Sequence, residues 1–162
     1  NTAFDDLGAK PGNYVPDQWL EEIDTVNDFV YHRINNGVYK AGFATKQEVY
    51  EEEVAALFEA LDQMEERLAG QDYLVGNRLT EADIRLFTTL VRFDAVYFGH
   101  FKCNLKPLTA YPNLWAYTKR IYQLPGMAQT VNFDHIKRHY YGSHKTINPT
   151  GVIPMGPTLD WD

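Results

Sequence analysis

The stretch Leu79-Thr80-Glu81-Ala82-Asp83-Ile84 limits the fold of this chain more than any other. Thr80 suits a helix N-cap that accepts from the backbone N–H of Asp83, while the Asp83 carboxylate reaches back to the Thr80 N–H. Leu79 and Ile84 stand where a hydrophobic staple clasps such a cap. The helix that begins here carries Ile84, Leu86, Phe87, Leu90, Val91, Phe93, Ala95, Val96 and Tyr97. Those positions run round most of the circumference, and a helix apolar on most sides must be surrounded by others. A buried central helix is therefore expected, with Thr80 and Asp83 as structural cap residues.

The rest of the chain supplies the surrounding helices. From Asp17 onward, Trp19, Ile23, Val26, Val30 and Ile34 recur at three- and four-residue steps. Pro16 fits the first turn, and Asn35-Asn36-Gly37 reads as a stop, followed by a loop carrying Tyr39, Lys40 and Gly42. A second helix runs from about Lys46 to Ala69, with Tyr50, Val54, Leu57, Phe58, Leu61, Met64 and Leu68 as its apolar stripe. Pro112 opens a further helix through Leu114, Trp115, Thr118, Ile121 and Tyr122, closed by Pro125-Gly126. A short helix from about Phe133 to Tyr141 comes last. No segment alternates with a period of two, so strands are not expected and the fold class is all-α. Residues 1–16 read as an irregular lead-in, 17–141 as the helical domain and 142–162 as an irregular C-terminal tail.

A chain of 162 residues can bury roughly 70% of its unfolded surface in one core. The net charge is −7 and the 15 basic residues are scattered, which argues against nucleic acid as a partner. No apolar stretch approaches the roughly 20 residues of a membrane helix. Cys103 is the sole cysteine, so no intrachain disulfide or Cys-x-x-Cys site can form, and a reducing, cytoplasmic compartment is expected. Asn1-Thr2-Ala3-Phe4-Asp5-Asp6 is neither a signal n-region nor a start with methionine. The chain is expected to be part of something longer.

Candidate chemistry lies near the C-terminal end and beside Gly37. On the last helix Phe133, Ile136 and Tyr140 fall within about 60° of one another, while Tyr141 is about 100° further round. Tyr140 should thus be partly buried, facing the core or a cleft. A phenol can hydrogen-bond a carbonyl or phenolate oxygen, or donate a proton; packing in the core is the competing reading. Tyr39, between Gly37 and Gly42, suits a binding surface, and Lys40 beside it would favour phenolate character or an anionic ligand. His135 and His139 are spaced i, i+4, yet no carboxylate or cysteine completes a metal set, because Asp134 points elsewhere. With Arg138 they read instead as cations near a helix end, and no metal is expected. Ser143-His144-Lys145-Thr146-Ile147-Asn148-Pro149-Thr150-Gly151 is too polar and too punctuated for a core element, and loops of this kind carry function. His144 is expected to anchor this tail by hydrogen bonds. Cys103 has Lys102 beside it but no evident base or helix N-terminus, and reads as inert.

Several segments together resemble a known family. They are Asn36-Gly37-Val38-Tyr39-Lys40-Ala41-Gly42-Phe43-Ala44, Leu79 to Leu86, His100-Phe101-Lys102-Cys103-Asn104, and Asn132-Phe133-Asp134-His135-Ile136 leading into Ser143 to Pro149. The chain resembles, over essentially its whole length, the C-terminal helical domain of the glutathionyl-hydroquinone reductases, the xi class of glutathione transferases. That resemblance implies a helical bundle with an irregular tail, and an N-terminal thioredoxin-like domain, absent here, that holds a Cys-Pro motif and most of the glutathione site. It implies an enzyme whose N-domain thiolate attacks the sulfur of a glutathionyl-hydroquinone, with a second glutathione regenerating the thiolate. Tyr39 and Tyr140 match the tyrosines that line the quinone pocket and assist protonation of the ring carbon, and Tyr141 is counted with them as substrate-binding. Glutathione is the implied co-substrate, and a homodimer through the helical domain the implied assembly. Cys103 does not match the nucleophile's motif, so the fragment alone is expected to be inactive. Two other readings stand beside this one: an omega-like thiol transferase of the same fold, and a non-catalytic interaction module.

Overall fold

The computed structural model describes residues 5–8 and 12–161. The expected irregular lead-in over 1–16 therefore falls partly outside the described residues. Among those described, a 3-10 turn at Asp17–Trp19 leads into helix α1, Leu20–Phe29, which runs on as a π-helical stretch, Val30–Asn35. Helix α2 is Gly37–Gly42 and α3 is Gln47–Arg67. Helix α4, Glu81–Arg92, also runs on as a π-helical stretch, Phe93–Tyr97. A 3-10 turn at Leu108–Ala110 precedes α5, Pro112–Tyr122, and another at Ala128–Thr130 precedes α6, Phe133–Ser143. No strand occurs among the described residues, and the chain is all-α as its periodicity requires.

Helix α4 is the buried centre. Ala82, Asp83, Leu86, Phe87, Thr89, Leu90 and Val91 are buried on it, and every residue of the π-helical continuation from Phe93 to Tyr97 is buried as well. Its capping box forms as the sequence predicts. Asp83 nevertheless does more than cap. Its carboxylate accepts from Thr80 N (2.7 Å), Thr80 Oγ1 (2.9 Å), Leu74 N (2.8 Å) and Tyr117 Oη (3.0 Å). A fully buried carboxylate is tolerable only when its lone pairs are met in this way. The one side chain therefore pins the start of α4 to the preceding loop and to α5. Two other acidic residues serve neighbouring termini, where a negative charge complements the exposed N–H groups. Glu65 on α3 accepts from Asn113 N (2.9 Å) and Leu114 N (2.7 Å) at the start of α5. Asp94 accepts from Leu108 N (2.6 Å) and Thr109 N (3.2 Å).

One expectation needs correction: the segment carrying Tyr39 is a helix, not a loop. The π-helical stretch closes with Asn36 N donating to Tyr31 O (3.0 Å), and the Asn36 carbonyl then accepts from Lys40 N (2.9 Å). Helical hydrogen bonding thus passes straight through Asn35-Asn36-Gly37. The glycines are there for close packing. A Cβ on Gly37 would lie 3.4 Å from Leu57 of α3, and one on Gly42 would lie 2.2 Å from the Phe101 ring. Glycine is a poor helix former, which is why the sequence mimics a stop.

The tail is irregular, beginning after Ser143 rather than after Tyr141, and it is held along its length. Asn148 Nδ2 donates to the carbonyls of Tyr141 (2.8 Å) and Val152 (2.9 Å). Lys137 Nζ donates to Met155 O (2.7 Å) and Pro154 O (3.2 Å). Trp161 stacks on Tyr122 of α5 and Phe133 of α6, with ring centroids 4.4 and 5.5 Å apart. The tail thereby clasps α5 to α6 and fixes the helix that carries Tyr140.

Candidate functional site

Three elements meet at a cleft of about 550 Å³. Helix α2 brings Tyr39, the π-helical end of α4 brings Tyr97, with Arg92 a turn earlier, and α6 brings His135, Ile136, His139 and Tyr140. Local causes place each of them. Gly42 lets α2 press onto Phe101 and carry Tyr39 inward. Asn132 caps α6 by accepting from His135 N (3.0 Å). Positions 135, 136, 139 and 140 then share one face of that helix.

The phenol oxygens converge. Tyr39 Oη lies 2.5 Å from Tyr140 Oη, which in turn lies 2.9 Å from Tyr97 Oη. Phe101, fully buried behind the cleft, packs against all three rings: its ring centroid is 5.3 Å from that of Tyr39, 5.5 Å from Tyr97 and 5.8 Å from Tyr140. Tyr39 is the outermost phenol, at 39% exposure, against 6% for Tyr140 and 2% for Tyr97. Burial, reinforced by the hydrogen bond with Tyr39, pushes the Tyr140 phenol up to about 12, while the bond to Tyr97 and the charge of Arg92 pull the other way. Burial drives Tyr97 higher still, helped by its bond to Tyr140. Both are therefore neutral O–H groups at ordinary pH. The arrangement can offer hydrogen bonds to an oxygen on a flat ring, or deliver a proton beside it.

The structure brings Tyr39 and Tyr140 together, and it separates Tyr141 from them. Tyr141 does not line the cleft; its ring packs on His100 at 4.6 Å, and its hydroxyl would lie 2.9 Å from a Cβ built on Gly99. Lys40 turns outward to Glu53 (3.8 Å) and contributes nothing to the cleft, whose cation is Arg92. His135 and His139 line the cleft rather than serving only the helix end, and Asp134 is engaged with Arg138 (2.7 Å). His144 anchors the tail as expected, its Nδ1 lying 3.1 Å from His100 Nε2. Cys103 is fully buried, and burial pushes its thiol up to about 12 against the weaker opposing pull of Lys102. A thiol held buried and protonated in this way is ill suited to act as a nucleophile.

Sequence reasoning missed Tyr97, which it counted as core, and Arg92. A usable signal existed. A tyrosine buried on a helix surrounded by others must find a partner for its hydroxyl, so a second polar group should face it.

Comparison with known proteins identifies the family of this fold. Residues 47–120 match the family described as Glutathione S-transferase, C-terminal domain. Glutathionyl-hydroquinone reductase YqjG of Escherichia coli (strain K12) is 59% identical over 162 residues, covering 100% of this chain and 49% of the relative. Its glutathione-bound structure superimposes with a TM-score of 0.97 over 100% of this chain and 53% of that one. Glutathionyl-hydroquinone reductase PcpF of Sphingobium chlorophenolicum is 57% identical over 157 residues, 97% of this chain and 50% of the relative. The xi glutathione transferase of Phanerochaete chrysosporium is 51% identical with a TM-score of 0.93, over 97% of this chain and 54% of that one. The bundle around α4 is thus the C-terminal helical domain of a glutathione transferase. The chain spans about half the length of the curated relatives it matches. Within the superfamily it belongs to the xi class, the family of the glutathionyl-hydroquinone reductases.

Proposed function

We propose that the polypeptide containing this chain is a glutathione-dependent reductase that frees hydroquinones from their glutathionyl conjugates, and that this chain is the ring-binding wall. The meeting of the Tyr39 and Tyr140 hydroxyls, 2.5 Å apart at a cleft both residues line, carries the reading. A hydroquinone ring would lie in the cleft with one oxygen on these hydroxyls. Arg92, beside Tyr140, would favour negative charge growing on that oxygen.

The thiolate that attacks the conjugate sulfur belongs to the thioredoxin-like half that the family resemblance implies, because Cys103 is buried and protonated. Attack forms an enzyme–glutathione disulfide and breaks the sulfur–ring bond. The ring carbon keeps the bonding pair and takes a proton, for which Tyr39 and Tyr140 supply the donor environment. A second glutathione then forms glutathione disulfide and restores the thiolate. The family resemblance extends to a homodimer through the helical domain and a cytoplasmic setting.

Tyr39→Phe and Tyr140→Phe in the intact polypeptide should each lower hydroquinone release by about a hundredfold, a usual size for losing an acid–base group. Chromatographic assay of the released hydroquinone reads this directly, and two variants with full activity sink the reading. An omega-like thiol transferase is the second reading, favoured by a Saccharomyces cerevisiae relative named Glutathione S-transferase omega-like 2, 43% identical over 99% of this chain. Under that reading, cleavage of a ring-free mixed disulfide would be the main activity and would ignore both phenols.

A further inference from the structure

The cleft favours negative charge although the chain as a whole is acidic. The net charge is −7, yet neither aspartate nor glutamate is among the residues that line the cleft. Its wall holds Arg92 from α4 and His135 and His139 from α6. Elsewhere Arg67, Arg85, Arg120 and Arg138 pair with Glu22, Glu81, Asp72 and Asp134. Arg92 is half-buried and pairs with no carboxylate among the described residues. Its Nη1 donates to the Thr88 carbonyl one turn back, and among those residues its Nε and Nη2 meet no acceptor. A partly buried charge is ordinarily paired, so an open guanidinium edge on a cleft calls for an anion. Neither imidazole makes a hydrogen bond among the described residues; the His139 ring packs against that of Tyr140 at 5.2 Å.

One ring oxygen cannot use all these donors. It offers about two lone pairs, and the Tyr39 and Tyr140 hydroxyls already face it. The guanidinium edge carries two parallel N–H groups, which match the two oxygens of a carboxylate. Its charge acts on the Tyr140 phenol, which puts it beside the ring oxygen. Arg92 and His135 also border a neighbouring groove of about 370 Å³ lined by Ile84, Phe87 and Val91, so a substituent has room beyond the ring edge. We propose that Arg92, flanked by His135 and His139, is a subsite for a carboxylate on the ring, ortho to the oxygen held by Tyr39 and Tyr140. The substrates are then conjugates of acidic hydroquinones. The inference rests on reading the cleft as a ring-binding site and adds the substituent that the cleft selects.

The test uses the intact polypeptide and two probes: a hydroquinone with a carboxylate ortho to one hydroxyl, and the matching carboxamide, which keeps the shape and lacks the charge. Calorimetric titration should show the acid binding about tenfold more tightly than the amide, as a charge-assisted pair requires. Raising the ionic strength should weaken binding of the acid selectively, a readout that needs no variant and stays decisive where a variant folds badly. Arg92→Gln should bring the two probes to within about twofold of each other. His135→Gln and His139→Gln combined should reduce the preference about threefold. Equal binding of acid and amide by the wild type, or a preference that survives Arg92→Gln, overturns the proposal. So does a preference that vanishes in saturating glutathione, for a carboxylate of glutathione itself then fills the subsite. An intact polypeptide that keeps the preference yet releases no hydroquinone from its conjugates would instead remove the proposed function and leave the carboxylate subsite standing.

Discussion

Asp83 shows how much a single side chain can hold. A capping residue is ordinarily worth about 1 kcal/mol. Here the carboxylate also accepts from Leu74 N and Tyr117 Oη, so its removal strands buried donors on two other segments. Asp83→Ala should therefore destabilise the chain by about 3 kcal/mol or more, against about 1 kcal/mol for Thr80→Ala, as read from urea unfolding midpoints. The local half of this role was legible, because a capping box is a pattern within four residues. The other half was hidden, since neither Leu74 nor Tyr117 announces a partner. The same holds at the cleft. Tyr39 and Tyr140 were legible from their neighbours and the family resemblance, whereas Tyr97 looked like one more apolar position on a buried helix. Tyr141, adjacent to Tyr140 in sequence, sits about 100° round on another face of α6, against His100.

Among the elements, α2 departs most from sequence expectation. Its two glycines and the asparagines before it are poor helix formers, and local propensity alone favours a loop. Packing against α3 and Phe101 overrides that preference. Gly42→Ala would improve helix propensity and still be harmful, because its Cβ would meet the Phe101 ring at 2.2 Å. The expected loss is about 2 kcal/mol of stability, the usual range for overpacking, with α2 and Tyr39 displaced together. A gain in melting temperature on Gly42→Ala would contradict this account of the helix.

At the scale of the whole molecule, the apolar periodicity and one strong cap were enough to predict the all-α class and the central helix. They were not enough to predict the cleft, because its phenols are 101 and 43 residues apart in sequence. Nor does composition report how the molecule answers pH. His100 is held down at about 4, chiefly by burial and then by His144 and Lys102, and burial lowers His144 too. A histidine whose folded value lies below its ordinary value near 6.5 resists protonation in the native state. Its contribution is complete above about 6.5 and fades as the pH falls towards 4. Thermal unfolding followed from pH 7 to 4 should show this loss, and His100→Gln should flatten it. A variant with an unchanged slope would show that the pair linking the tail to the α4 end is not what senses acid.

The π-helical stretches at 30–35 and 93–97 carry one further consequence. Each accommodates an extra residue within a helix, and one residue turns everything beyond it by about 100°. Losing a single codon there would leave an ordinary, well-formed α-helix and aim the following side chains, Tyr97 among them, in a different direction. The orientation of the cleft is thus kept as a count of residues, and gene alterations too small to disturb the scaffold could still silence it.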